Sequence, residues 1–497
     1  MKRQPNNNQI LLVQTGAHRM QLGGALLRLP FQHLSLAAWL QQYNQFMNNI
    51  HIFDMRVNKL DPAIFQNSRI VGISAMTGAQ IHYGLQAALM ARKTNPETII
   101  VWGGIHPSLL PEQTIRHDLV DVVVIGEGEE TFLEVVRNVF DGNSLSKIPG
   151  TCIQNAKGEV IIGPQRPLID FNSMPIPAYD LINIKDYIGI EHQFDYQSSR
   201  GCPYRCQFCY NTAFSGRRWR GKKAEKVLEE LEYLHDRYKV KNFALVDDES
   251  FINRKRAEAI FNGILERKLD FGIVTSCRLD IVRKFSDSSL SNIKKAGAIQ
   301  LFFGAESGSN ETLKAITKDI TKEDIIFGAL KVANSGIRPM LSFMSGFPGE
   351  TLHQFEETLD VIQTLWTKHP LIAVNGIFPF NAYPGTKLFI KAKELGLKTP
   401  GSLEEWSNWN FQYKPDNPWL GNRMKEWMQI AFYIVRFRYY LLRFEDRHPN
   451  KFRVHLLKIL VFPLNISAKI RFSKRWFRFA WEWHLFAFLA RKTFGYL

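Results

Sequence analysis

Three of the chain's five cysteines, Cys202, Cys206 and Cys209, fall within eight residues. No other feature restricts the fold as strongly, because one short loop has to carry three thiols while the rest of the chain holds that loop still. Thiolates so placed supply three corners of an iron–sulfur cluster and leave a fourth iron open to another ligand. A structural zinc loop is the competing reading, but zinc takes four protein ligands, commonly as two separated Cys pairs. Cys152 and Cys277 stand alone in the sequence, and Cys277 reads as a small buried residue. So few cysteines outside the cluster argue against a disulfide scaffold and for a reducing, cytoplasmic setting.

At 497 residues and 45% apolar content the chain is globular and long enough for two or three domains. Residues 9–140 alternate aliphatic runs (9–13, 50–53, 69–74, 98–102, 119–125) with helical patterns (34–46, 81–93, 130–140), the pattern of a parallel α/β sheet. A doubly wound, Rossmann-like domain is expected over 1–145, its ligand at the carboxyl ends of the strands. A connector rich in Pro, Gly and Asp follows over 146–194, with a hairpin at 151–154 and 160–163. Strand and helix alternate again from 195 to 395, and 396–497 is a basic, aromatic, helical region. The stretch 217–223, with five Lys or Arg, reads as a solvated loop or a contact for an anionic substrate. The helix expected from 224 to 238 is drawn with Glu229, Glu230, His235 and Asp236 facing solvent.

The spacing C-x3-C-x2-C, with Phe208 directly before the last cysteine, resembles the signature of the radical S-adenosylmethionine (SAM) enzymes. The resemblance implies a 4Fe-4S cluster on Cys202, Cys206 and Cys209, SAM chelating the fourth iron, and cleavage of SAM to a 5'-deoxyadenosyl radical that abstracts hydrogen from unactivated carbon. It also implies a partial (β/α)6 barrel with its chemistry at the strand ends. SAM contacts are then expected from Phe208, from Asp248 or Glu249 to the amino nitrogen, from Glu306 to the carboxylate or ribose, and from Ser345 and Gly346 along the adenine. Without the resemblance, Asp247-Asp248-Glu249 reads as a helix N-cap run.

Three glycine-bearing loops end strands of the first domain: Ala75-Met76-Thr77-Gly78, Gly103-Gly104-Ile105-His106-Pro107 and Gly126-Glu127-Gly128-Glu129. Such glycines allow close backbone approach to a bulky ligand, though they are common in any α/β domain. Beside the cysteine motif they are similar to the cobalamin-binding domain that precedes the radical SAM domain in one large subgroup. That implies cobalamin contacts from Thr77, Gly103, Gly104, His106, Gly126, Glu127 and Gly128. Many corrinoid proteins carry D-x-H-x-x-G, whose His binds cobalt; here the corresponding loop, Thr77-Gly78-Ala79-Gln80-Ile81-His82, has no Asp and a shifted His. A base-off cobalamin without His ligation is expected. His82 reads as a surface or packing residue and His106 as a loop residue fixed by Pro107.

The net charge of +16 is concentrated at one end: Gly421 to Leu497 holds 16 Lys and Arg against 4 acids, a net +12 that leaves +4 for the rest. Aromatic residues interleave those cations, so the region reads either as a membrane-surface element at the cytoplasmic inner face or as cover for the barrel core. The opening residues, Met1-Lys2-Arg3, precede no apolar h-region, so no secretory signal is expected. The family implies an enzyme that methylates an unactivated carbon of a hydrophobic or anionic small molecule. One alternative is radical oxidation or cyclisation resembling the anaerobic magnesium-protoporphyrin monomethyl ester cyclase. An alternative of another class is a non-catalytic iron–sulfur or corrinoid-binding protein. The expected partners are a small-molecule substrate and a flavodoxin- or ferredoxin-type electron donor. No nucleic acid is expected, since no recognisable binding module occurs.

Overall fold

The computed structural model describes residues 8–16, 27–188, 193–409, 417–447 and 451–494; the opening stretch 1–7 lies outside them. The first sheet holds β1 (Gln9–Gln14), β2 (Ile50–Asp54), β3 (Ser68–Ser74), β4 (Ile99–Gly103), β5 (Val122–Val124), β6 (Thr151–Gln154) and β7 (Val160–Ile162). Their order is β2-β1-β3-β4-β5-β6-β7, with β1 to β5 parallel. The aliphatic runs bury both faces. Along β1, Ile10 and Leu12 join the helices Phe31–Gln41 and Glu129–Asp141 in one core, while Leu11 and Val13 join the helix Ala79–Thr94 in the other. This is the two-residue repeat of a strand covered on both sides.

The hairpin departs from the sequence reading. β6 pairs antiparallel with β5 (Val122 with Ile153, Val124 with Thr151), and β7 pairs with β6. The first sheet therefore continues past residue 145 to Ile162. β5 is only three residues long and wholly buried, and the hairpin covers the edge that it would otherwise leave open.

The second sheet begins at β8 (Gln193–Tyr196), followed by a ribbon of β9 (Ser199–Arg200) and β10 (Arg220–Gly221). It continues through β11 (Asn242–Leu245), β12 (Gly272–Ser276), β13 (Ala298–Glu306), β14 (Arg338–Ser345) and β15 (Ala373–Pro379). The order β15-β14-β13-β12-β11-β8 is parallel throughout. Six strands in chain order with helices between them form the open (β/α)6 barrel, and every carboxyl end emerges on one side.

Two sequence expectations fail under the barrel. The basic stretch 217–223 is not a solvated loop throughout: Arg220 and Gly221 pair with Ser199 and Arg200, and Lys222 is 2% exposed. Glu230 does not face solvent. It is buried, accepts a hydrogen bond from the Tyr196 hydroxyl at 2.6 Å, and pairs with Lys222. Both changes have one cause, since a buried cation needs a buried anion beside it.

The long helix Asn422–Arg447 packs on β15 and brings Trp427, Ile430, Ile434 and Phe437 into the barrel core, where Phe472, Phe477 and Trp483 also lie. Part of the aromatic tail thus completes the core. Other members, including Trp476, Phe479 and Trp481, are exposed. Among the described residues no helix is long and apolar enough to cross a membrane.

Lys222→Met should strand the Glu230 carboxylate and lower stability by about 3–5 kcal/mol, read as a fall in the urea midpoint. The double variant Lys222→Met, Glu230→Gln should recover most of that loss. Equal midpoints for wild type and Lys222→Met would remove the pair from the account.

Candidate active site at the carboxyl ends of both sheets

The cysteine loop is set by groups at the end of β11. Asp247, itself buried, accepts from the backbone N–H of Ser198 (2.7 Å) and Ser199 (3.0 Å) and from the hydroxyls of Ser198, Ser199 and Ser250. Asp248 accepts from the N–H of Gly201 at 2.8 Å. Gly201 has φ +87°, and a Cβ there would lie 1.9 Å from the Arg218 carbonyl oxygen, so the chain can turn into the loop only with glycine. The run 247–249 is not an N-cap, because the next helix, Arg254–Glu266, is capped by the Asn253 side chain.

Cys206 is buried, and Cys202 and Cys209 are half-buried. Burial pushes the Cys202 thiol up to about 11 and the Cys209 thiol up to about 12, with the neighbouring cysteines adding to the shift. Two cations face them. Arg278 Nη1 lies 3.9 Å from Cys206 Sγ, its guanidinium 3.6 Å from the centre of the Tyr204 ring, and it donates to Asp280 and the Lys318 carbonyl. Lys318 is buried and bonded to Glu306 Oε1 at 2.8 Å. Among the described residues no three His, Cys, Asp or Glu side chains are gathered closely enough to enclose a single ion. Three soft sulfur donors on one loop suit three corners of an iron–sulfur cluster, whereas a structural zinc site takes four protein ligands.

The remaining residues singled out at this end of the barrel lie around the loop. Glu249 is buried, and its carboxyl is pushed up to about 8 by that burial; Oε1 accepts from the Phe251 N–H at 3.2 Å. Glu306 ends β13 with φ +63°. Phe208 rests against Phe347, with ring centres 6.0 Å apart. Ser345 and Gly346 turn around Glu350, whose Oε2 accepts from the Ser345 hydroxyl and from the N–H groups of Gly346 and Phe347. Glu350 Oε1 is buried without a partner, and burial pushes this carboxyl from its ordinary 4.5 up to about 7. Lys318 is the residue that sequence reasoning missed: it sits in an unremarkable Thr-Lys-Asp stretch, and no sequence signal marks it.

A cavity of about 660 Å3 opens between the two sheets. Gly103, Gly104, Gly126 and Gly128 line it from the first domain, and Gln197, Tyr210, Asn211 and Asp248 from the barrel side. Gly104 has φ +92°, and a Cβ there would lie 2.7 Å from Ser74 Oγ, whereas a Cβ on Gly126 would meet nothing within 4 Å. One glycine is demanded by the turn and the other leaves open space.

Glu127 lines the cavity but spends its carboxylate on the barrel. It pairs with Arg220 (Oε2 to Nη1, 2.9 Å) and lies 3.7 Å from Arg200, which also bonds Glu129 at 2.9 Å. Thr77 and His106 do not line the cavity. They bond each other at 3.0 Å, and His106 is not in a loop but in the helix Ile105–Leu109, fully buried edge-on to Trp406. Burial lowers His106 to about 4, so it is neutral. His82 is exposed, as expected.

The radical SAM superfamily model matches residues 196–362 and the B12 binding domain model matches residues 34–136. An uncharacterized methyltransferase of Pyrococcus horikoshii is 34% identical over 67% of this chain and 70% of its own length. The anaerobic magnesium-protoporphyrin IX monomethyl ester cyclase of Rubrivivax gelatinosus is 28% identical over 58% of this chain, which spans 53% of that protein's length. Among solved structures, the cobalamin-dependent S-adenosylmethionine radical enzyme OxsB with aqua-cobalamin bound superposes with a TM-score of 0.74, covering 94% of this chain and 72% of that one. At 18% identity that likeness is one of fold.

The chain belongs to the radical SAM superfamily, in the group that carries a B12 binding domain. It is therefore an enzyme of the class whose cofactors are SAM, an iron–sulfur cluster and cobalamin.

A buried carboxyl that titrates higher in the folded than in the unfolded chain stabilises the fold below about pH 4.5 and loses that contribution as pH rises to about 7. Glu350→Gln removes this dependence. Urea midpoints at a series of pH values should show wild type losing at most about 3 kcal/mol against Glu350→Gln between pH 4.5 and 7; parallel profiles would contradict the burial of the charge.

Proposed function

We propose that this enzyme methylates an unactivated carbon of a small molecule held between its two domains. The observation that carries the reading is the shared cavity: the glycine loops of the B12 binding domain and the strand end that anchors the cysteine loop line the same space. When bound, the cluster would supply the electron for reductive cleavage of SAM, and cobalamin would supply the methyl group. Cys202, Cys206 and Cys209 hold the cluster. Gly103, Gly104, Gly126 and Gly128 present backbone to the corrin, while Thr77 and His106 lie behind that wall, which supports a cobalamin without His ligation. Asp248, which lines the cavity, or the buried Glu249 takes the SAM amino group. Glu306 with Lys318 faces its carboxylate or ribose, and Phe208, Ser345 and Gly346 flank the adenine. A flavodoxin- or ferredoxin-type protein supplies the electron. The kinship to a methyltransferase at 34% identity supports methyl transfer over the cyclisation named in the more distant relative.

Anaerobically reconstituted protein should hold about four irons per chain, bind corrinoid, and release 5'-deoxyadenosine from SAM on reduction. Replacing Cys202, Cys206 and Cys209 by Ala should abolish iron and deoxyadenosine and leave corrinoid bound. Label from methyl-labelled SAM should appear in product; deoxyadenosine without labelled product would turn the reading to oxidation or cyclisation.

A further inference from the structure

Away from this site, a second cavity of about 470 Å3 lies among the helices Asn422–Arg447, Lys451–Leu460 and Phe462–Lys474. Its walls are amphiphilic. Leu441, Leu442, Phe462 and Ile466 face it, together with the cations Arg438, Lys458 and Lys469 and one acid, Glu445. Glu445 is taken by Lys458 at 3.0 Å. Arg438 has no carboxylate among the described residues; its guanidinium lies 4.2 Å from the centre of the Trp366 ring, and burial lowers its pKa. Lys469 is exposed and likewise makes no ion pair among the described residues. A partly desolvated guanidinium is costly unless an anion meets it, and the planar fork suits an oxyanion with two acceptors.

The surface around the mouth of the cavity is apolar and basic together. Leu460, Phe462, Ile466 and Ile470 are exposed there, and farther along Phe479 and Trp481 are 80% and 72% exposed. Between Lys451 and Ala490 the only acid is Glu482, and Arg471 takes it. Exposed aliphatic and aromatic side chains among uncompensated cations complement an anionic lipid surface, where acyl chains take the former and head groups the latter.

We propose that the cavity seats the head group of an anionic lipid, a phosphate or carboxylate carried on an acyl chain, and that the face around it rests on an anionic membrane surface. The head group accepts hydrogen bonds from Arg438 and Lys469, and the chain runs over Phe462 and Ile466. Among the described residues, none of the C-terminal helices lines the cavity between the two domains.

The full chain should sediment with vesicles of phosphatidylcholine containing phosphatidylglycerol and not with phosphatidylcholine alone. Arg438→Gln and Lys469→Gln should each weaken partition about fivefold, the share of one cation near an anionic surface; Arg438→Lys, which keeps the charge and loses the planar fork, should recover only part of it. Lys469 is exposed, so its variant reports on binding even if Arg438→Gln misfolds. Equal partition on both vesicle types, or no loss in Lys469→Gln and Arg438→Gln, overturns the proposal. So does thermal stabilisation by inorganic phosphate that depends on Arg438 while vesicles sediment nothing, which would make the cavity a site for a free anion. Self-association lost in Phe462→Ser without vesicle binding would give the face to a second copy of the chain instead.

Discussion

The carboxylate of Asp247 is the group on which the site depends. It is buried, so it is tolerated only if donors surround it, and it takes two backbone N–H groups and three hydroxyls. All of those donors sit on residues that lead into the cysteine loop or out of β11. The bonds fasten the end of β8 to the end of β11 at the point where the chain must turn through Gly201. The next residue, Asp248, holds that turn by its N–H. Asp247 is thus spent on the loop, whereas Asp248 lines the cavity while accepting from Gly201, and Glu249 accepts from the Phe251 N–H.

The same strand carries the link to the first domain. Arg200 precedes Gly201 and reaches Glu129 and Glu127, while Arg220, its partner across the ribbon, grips Glu127 from the other side. Phe171 lies under the Arg200 guanidinium at 5.1 Å. Exposed ion pairs add little, but these carboxylates and guanidiniums are largely enclosed. Removing one partner leaves an uncompensated charge in the interface. The cavity is therefore held at a set width by groups contributed from both walls, with the glycine loops left free to approach a ligand.

Much of this was readable beforehand. β1 to β5 and β11 to β15 follow from aliphatic runs of strand length separated by helical patterns, a periodicity that belongs to the local chain. The cysteine loop follows from spacing alone. What escaped is what depends on distant partners. Glu230 looked like a solvent-facing helix residue until the ribbon brought Lys222 over it. Glu127 looked like a ligand contact until Arg220 claimed it, and Lys318 carries no local sign of its place beside the cysteines. The hairpin was visible as a hairpin, but only the exposed edge of β5 determines which sheet it joins. Residues of the C-terminal region divided between core and surface for the same reason: composition gives the aromatics, and packing decides which of them β15 covers.

Two buried cations face the cysteine loop. Burial favours the protonated forms of Cys202, Cys209 and Glu249. Arg278 and Lys318 remain charged although burial opposes it, because Asp280 holds the first and Glu306 the second. The site thus keeps its cations, which favours negative charge beside them. Thiols that ionise only when a metal arrives must release their protons at that moment, so loading weakens as pH falls. The same two cations then lie beside the thiolates, where the attraction is least screened by water. Their burial, which opposes their own charge, strengthens their attraction to the thiolates.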